Sequence, residues 1–281
     1  MHKDTAPLWK GEEYDENSDP QLHHALRSLE GYAIKEGAKV LDLGTGTGNV
    51  LVELLKQHST ISAVGTDISP SMIDTAKNKH ANFSDRVKWK VSAAQKLPNK
   101  YTGQFNNVIC TNAWHWFVNQ LEVIKEVARC LAPEGTLFIE GSHKIDTQQL
   151  PLIFLACIAA AQDTTITLYC PTFKAELIEK THPGIDADTL ISMLNQEGLT
   201  VMSVETNTKF STQFKDENTF KKWLTPIAKA YPSFSGLPTA KLQDQVLSII
   251  IREYLKLSPP NDDGSINYSL ANGVRISAKK K

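Results

Sequence analysis

No apolar run here is long enough to cross a bilayer: Leu150 to Ala161 falls short of the ~20 apolar residues a spanning helix needs. No charged and apolar leader opens the chain, so a cytoplasmic location is expected. Cysteine is scarce, and Cys110, Cys130, Cys157 and Cys170 show no paired ligand spacing. That speaks against a metal site and leaves buried thiols in a reducing compartment as the expectation. Dense basic blocks are also missing. At a net charge of -1, nucleic acid is not the expected partner, because phosphate binding relies on clustered Lys and Arg. Lys279, Lys280 and Lys281 read as a solvated tail. Internal repeats and low-complexity tracts are absent too. What remains is a globular chain of 281 residues with 41% hydrophobic content, ample for a packed core in one large domain or two small ones.

The most informative stretch is Val40-Leu41-Asp42-Leu43-Gly44-Thr45-Gly46-Thr47-Gly48-Asn49-Val50. It reads as a buried strand, then a glycine turn, then the start of a helix at Val50-Leu51-Val52-Glu53-Leu54-Leu55. Glycines allow a sharp turn and a close backbone approach to a ligand. A dinucleotide fingerprint requires Gly at its sixth position, and Asn49 stands there. Asp42 just before the turn repels a pyrophosphate and attracts an ammonium group, which favours a cationic ligand. A second strand, Ile61 to Asp67, ends in an acid 21 residues after Gly46, where a carboxylate can accept both hydroxyls of a ribose. Ser69-Pro70 then supplies a helix cap and a first helical residue.

These residues resemble the class I S-adenosylmethionine-dependent methyltransferases, whose first motif reads as a strand followed by D-x-G-x-G-x-G. The likeness continues in register through Asp67-Ile68-Ser69-Pro70-Ser71-Met72, Ser92-Ala93-Ala94-Gln95-Lys96-Leu97-Pro98 and Leu131-Ala132-Pro133-Glu134-Gly135-Thr136-Leu137. The resemblance implies S-adenosyl-L-methionine as cofactor and S-adenosyl-L-homocysteine as product. It places Asp42, Gly44, Thr45, Gly46 and Gly48 against the methionine part and Asp67 on the ribose, with Ile68 and Met72 beside it. Ala93, Ala94 and Gln95 fall on the adenine, and Thr111 joins the set beyond the fourth strand. Many relatives carry Asp where Ala93 stands, so the adenine contact here must come from backbone or from Gln95.

Further strands are expected near 87 to 91, 105 to 110, 135 to 140, 199 to 206 and 266 to 278, alternating with helical patterns. That alternation predicts a doubly wound, Rossmann-like α/β fold. By the resemblance it is a seven-stranded, mostly parallel sheet with an antiparallel last strand, in a single domain over 1 to 281. Its cofactor-binding half is 38 to 141, and the stretches 142 to 186 and 210 to 262 read as helical insertions that cap the ligand end or extend the core. Asp186 caps a helix running to Leu194, and Asp19 with Pro20 starts an N-terminal one.

The second distinctive feature is Thr111-Asn112-Ala113-Trp114-His115-Trp116-Phe117, directly past the fourth strand. Trp114 and Phe117 read as core packing. The His115-Trp116 pair resembles the small-molecule carboxyl methyltransferases of the juvenile-hormone-acid, trans-aconitate and malonyl-carrier-protein type. In that group a Gln of the N-terminal helix and this Trp contact the substrate carboxylate, which by match are Gln21 and Trp116, with Tyr14 over the cofactor. The expected substrate is therefore a small carboxylic acid, free or carrier-tethered. An ionised carboxylate needs no general base, whereas a hydroxyl or amine acceptor would make His115 the base. A silent cofactor-binding protein with the same pocket is the reading outside enzymology.

Overall fold

In the computed structural model, residues 9–142, 150–171 and 186–281 are described, apart from the side chains of Pro232 and Asn272. Parts of the first expected insertion, 143–149 and 172–185, lie outside the described residues. Five strands run parallel: β1 (Lys39–Leu43), β2 (Ser62–Asp67), β3 (Val87–Val91), β4 (Phe105–Thr111) and β5 (Leu131–Ser142). With β6 (Leu199–Phe214) and β7 (Ile266–Lys280) they form one sheet in the order β3-β2-β1-β4-β5-β7-β6. β7 is antiparallel to both of its neighbours. The last four residues of β1 are buried without alternation, as a parallel strand covered by helices on both faces requires. Strand order reverses between β1 and β4, which opens a crevice at their carboxyl ends.

The connecting helices begin where local chemistry dictates. α1 (Gly11–Asp15) and α2 (Asp19–Leu29) precede the sheet, α3 (Asn49–Gln57) follows the glycine turn, and α4 (Pro70–Lys79) follows β2. Ser69 caps α4, its hydroxyl accepting the Met72 N–H at 3.4 Å, and Pro70 is the first helical residue. The start of α2 differs from expectation: Ser18 occupies the cap position and Asp19 is already helical. The Ser18 hydroxyl donates to the Asp15 carbonyl at 3.3 Å, tightening the α1–α2 turn, and Asp19 adds negative charge to the first turn. Asp186 does cap the Ala187–Gln196 helix, accepting the Thr189 N–H at 2.8 Å.

β6 and β7 run further than their patterns suggest. They pair onward from Thr208↔Gly273 to Phe214↔Ile266, past the last β5–β7 pair at Ser142. Residues 210 to 214, expected within a helical insertion, are therefore strand. Their alternation of half-buried Phe210 and Thr212 with exposed Ser211 and Gln213 is the period of a ribbon packed on one face. Against that face sit the helices Leu152–Ala160, Glu217–Lys229 and Ala240–Leu257, which form an apolar core of their own around Phe214, Phe220, Trp223, Tyr254 and Tyr268. Two further cores line the two faces of the parallel sheet. All four cysteines are buried, and burial pushes the Cys157 thiol up to about 12. Trp114 is 1% exposed and Phe117 packs on the same core, as their core reading expects. Among the described residues no helix is long and apolar enough to cross a membrane.

Candidate active site

The glycine turn carries three positive φ angles, +70° at Gly44, +56° at Gly46 and +83° at Gly48. The three glycines are needed for different reasons. A Cβ on Gly44 would sit 2.4 Å from the Ala113 Cβ, and one on Gly48 2.4 Å from the Trp89 ring. Those two make room for protein. Only at Gly46 is the space open, with Tyr14 Cε1 the nearest atom at 3.9 Å. Gly46 therefore presents bare backbone to a small cavity walled by Tyr14, Asp42, Gly44, Thr45, Asn49 and Thr111.

Asp42 is 2% exposed, and its Oδ2 accepts the Thr45 hydroxyl at 2.6 Å. Burial raises its carboxyl to about 7, partly offset by Thr45 and reinforced by the charge of Asp67. A cation with N–H donors placed here would restore the ionised form, so the residue suits an ammonium group. Asp67 ends β2 and accepts the Gly46 N–H at 3.0 Å and the Ser69 N–H at 2.9 Å, with burial raising its carboxyl above the usual range. The Asp67 carbonyl takes the Ser92 N–H at 2.9 Å, bringing the turn with Ala93, Ala94 and Gln95 to the same end of the sheet. Ile68 is 45% exposed there, whereas Met72 is 4% exposed and Ala94 belongs to the core. Asp67, Ile68, Met72, Ala93, Ala94, Gln95 and Gly48 lie outside the walls of the small cavity.

An N-terminal clasp closes over this turn. Asp15 at the end of α1 pairs with Lys79 at 2.7 Å and accepts from Thr47 at 2.8 Å and Asn49 at 2.9 Å. Burial opposes its ionisation, but these donors outweigh it and hold its carboxyl below the usual range. Asn49, which breaks the dinucleotide pattern, thus ties the start of α3 to α1. On the other side Glu13 pairs with Lys229 of the Glu217–Lys229 helix. Trp9 stands edge-on to Tyr14 and Trp116, at ring separations of 5.4 and 5.5 Å.

Beyond Tyr14 lies a second cavity of about 200 Å³. It shares Tyr14, Gln21 and Asn112 with the first, so the two spaces meet at those residues. Its far wall is apolar, with Ile153, Phe154, Phe234, Leu247, Ile250 and Leu270. Its sheet end is polar, with Gln21, His24, Asn112, His115 and Glu140, and no described lining residue is Lys or Arg. His115 and Trp116 both line it, as does Gln21, so the three residues matched to substrate contact are brought together. The Ser142 N–H donates to His115 Nδ1 at 3.3 Å, which puts the proton of a neutral ring on Nε2. Gly141 leaves the room for that ring: a Cβ there would be 3.2 Å from Nδ1.

Sequence reasoning missed His24 and Glu140. His24 Nε2 lies 3.0 Å from Glu140 Oε1, and the Asn112 N–H donates to Glu140 Oε2 at 3.1 Å. Asn112, at a left-handed φ of 54°, donates its side-chain amide to the Gln21 carbonyl at 3.1 Å. Glu140 thus locks α2 and the turn past β4 to β5. The signal available was an acid in an otherwise apolar strand, Leu137-Phe138-Ile139-Glu140. Trp9, Asp15 and Trp223 carried no comparable mark.

Residues 40–135 match the family described as a methyltransferase domain. They form a class I methyltransferase domain. S-adenosylmethionine is the cofactor of such a domain, and the open space at Gly46 and the buried Asp42 fit its small cationic end. The chain is 29% identical over 116 residues to an uncharacterised methyltransferase-like protein of Schizosaccharomyces pombe, covering 41% of this chain and 43% of that one. It is 34% identical over 100 residues to the juvenile hormone acid O-methyltransferase of Drosophila melanogaster, covering 34% and 33%. The match thus spans less than half the length of these curated relatives. A crystal structure of a putative methyltransferase from Bacillus halodurans shares the fold, with a TM-score of 0.58 at 18% identity over 94% of this chain and 99% of that one.

Proposed function

We propose that this protein is an S-adenosylmethionine-dependent methyltransferase whose acceptor is the carboxylate of a small, largely apolar acid. The observation that carries the carboxylate over a hydroxyl or amine is the state of His115. Its Nδ1 lone pair already accepts the Ser142 N–H, so a neutral ring carries its proton on Nε2 and keeps no unengaged lone pair to act as a base. Glu140 is engaged by His24 and Asn112. Among the described residues at this end of the cavity, His115 and Glu140 already hold hydrogen bonds within the protein, and an ionised carboxylate needs no base. The apolar wall suits a hydrocarbon body, and the methyltransferase of Drosophila melanogaster named above acts by its name on an acid.

The cofactor side would be held by Asp42 at its ammonium, by the backbone at Gly46 with Thr45 and Thr111, and by Asp67 at its ribose, with Tyr14 covering it. Met72, Ile68 and the Ala93–Gln95 turn fall to the adenine side. When bound, the cofactor supplies an activated methyl on a sulfonium. The chain's own residues then have to position the acceptor in line, at about 3 to 3.5 Å from that carbon. On this reading Gln21, His115 and Trp116, which line one cavity, would hold the carboxylate, and Trp9, Tyr14 and Trp116 would exclude water from the meeting point. With no Lys or Arg among the described lining residues, the sulfonium itself would supply counter-charge to the carboxylate, which favours reactant pairing in a dry site.

The helices Leu152–Ala160, Glu217–Lys229 and Ala240–Leu257 form, on this reading, the acceptor-binding cap of a single domain. The test is a transfer screen with methyl-labelled cofactor against fatty, terpenoid and dicarboxylic acids, free and carrier-tethered, beside matched alcohols and amines. Label should enter acids. Label entering only alcohols or amines would reject the reading.

A further inference from the structure

Gln21 carries a hydrogen bond that the chemistry above does not use. The indole N–H of Trp223, from the Glu217–Lys229 helix, donates to Gln21 Oε1 at 2.9 Å across 202 residues of sequence. An indole N–H can only donate, so the atom facing it must be the amide oxygen. The two ends of a glutamine amide are thereby distinguished: oxygen toward Trp223, the N–H₂ group away from it. Trp223 itself is 4% exposed and fixed in a nest of rings, stacked with Phe210 and Phe220 and edge-on to Tyr268 at 4.8 Å. The backbone of Gln21 is also tethered, through the Asn112 amide to its carbonyl.

We infer that Trp223 is a positioning residue for acceptor choice: it fixes the Gln21 amide so that this side chain offers only its N–H donors where the two cavities meet. This rests on the proposed carboxylate reading and sharpens it. A group that accepts hydrogen bonds through a full negative charge gains a charge-assisted bond there, roughly twice as strong as a neutral one. An ammonium has no lone pair to offer and meets two N–H groups, so it is turned away. Without the indole N–H the amide is free to turn over and present its oxygen, and the discrimination is lost. Specificity of this kind comes from repelling the wrong head group as much as from attracting the right one.

The test compares dodecanoic acid, dodecylamine and dodecanol, which share one chain, by calorimetry in the presence of sinefungin, whose amine keeps a positive charge where the sulfonium would stand. It uses the full chain, Trp223→Phe, Gln21→Ala and the double variant. Trp223→Phe keeps a ring in the aromatic nest and removes only the donor and part of the indole. The unaltered protein should prefer the acid. Trp223→Phe should lose about tenfold of that preference, the scale of one bond to a charged group, while S-adenosylhomocysteine affinity stays within twofold. In the Gln21→Ala background the same substitution should leave the preference unchanged, because its effect runs through that amide. Retention of the preference in Trp223→Phe overturns the inference, and so does an equal loss with Gln21 already gone, which would mark a merely structural role. If the unaltered protein binds the amine or alcohol as well as the acid, or binds none of the three, the carboxylate reading itself falls and takes this inference with it.

Discussion

The two cavities that meet at Tyr14, Gln21 and Asn112 are built by different means. On the cofactor side the geometry is a property of backbone: three left-handed glycines, a strand end and a capped helix within 33 residues of sequence, Val40 to Met72. On the acceptor side it is a property of side chains that arrive from positions as far apart as Trp9 and Leu270. A site made of backbone tolerates almost no substitution at its glycines, whereas a site made of packed side chains can be reshaped without losing the fold. That is the arrangement expected of a scaffold with one fixed ligand and one variable one.

The sharpest way to break the contrast is to place the same methyl group at two of the glycines. Gly48→Ala combines a left-handed φ with an overlap on Trp89, and should cost about 2–5 kcal/mol from backbone strain and overpacking together. A lowered thermal midpoint and lost cofactor binding are the expected readings. Gly46→Ala has the strain without the overlap, so its midpoint should fall by less, about 1–2 kcal/mol. Its cofactor affinity should still fall at least tenfold, since the new methyl enters the cavity. Equal stability losses at both positions, measured by chemical denaturation, would contradict the separate roles given to these glycines.

Next in size is Glu140→Ala. It leaves the buried His24 nitrogen without its acceptor, while the Asn112 N–H keeps the backbone carbonyl of residue 140 at 3.1 Å, a loss of about 1–3 kcal/mol for one unsatisfied group. Gln21 should also lose its place, so acceptor KM rises while cofactor affinity holds. Glu140→Gln, which keeps an acceptor oxygen, should recover part of both.

A third prediction concerns pH. Because burial raises Asp42 to about 7, the folded protein without ligand holds a proton that the unfolded chain has released. This residue therefore makes stability fall as pH rises from about 4 to 7. A cationic ligand requires the charged form, so its affinity should rise by up to about tenfold per pH unit up to pH 7 and level off above it. Asp42→Asn should flatten both profiles and weaken S-adenosylmethionine more than tenfold at pH 8. A pH-independent affinity in the unaltered protein would show that Asp42 does not face the ligand's charge.

The smallest effect should come from His115→Ala. If His115 only donates a hydrogen bond, turnover of an acid falls by no more than about tenfold. A loss of several orders of magnitude with both ligands still bound would restore it as a base and point to a hydroxyl or amine acceptor.

These differences also explain what could be read in advance. The turn at Gly44 to Gly48, the acid at Asp67, the Ser69 and Asp186 caps and the alternation of strands and helices are short-range patterns, legible because local chemistry alone demands them. The join of Gln21, His115 and Trp116 at one cavity followed from family resemblance, not from spacing. The clasp of Trp9 and Asp15, the Glu140–His24 link and the Trp223 bond to Gln21 join positions far apart in the chain, with no periodicity to announce them. The onward run of β6 to Phe214 was obscured because a half-exposed ribbon with Phe210, Thr212 and Phe214 on one face resembles the edge of a helical stretch.

The central claim is that the methyl acceptor is a carboxylate, and the chemical nature of the transferred methyl decides it. Label transferred to acceptor should be released as methanol by mild alkali, because an ester hydrolyses and an ether or N-methyl amine does not. Complete, rapid release is the expected result. Label that survives alkali on an acceptor which the protein turns over efficiently would contradict the account.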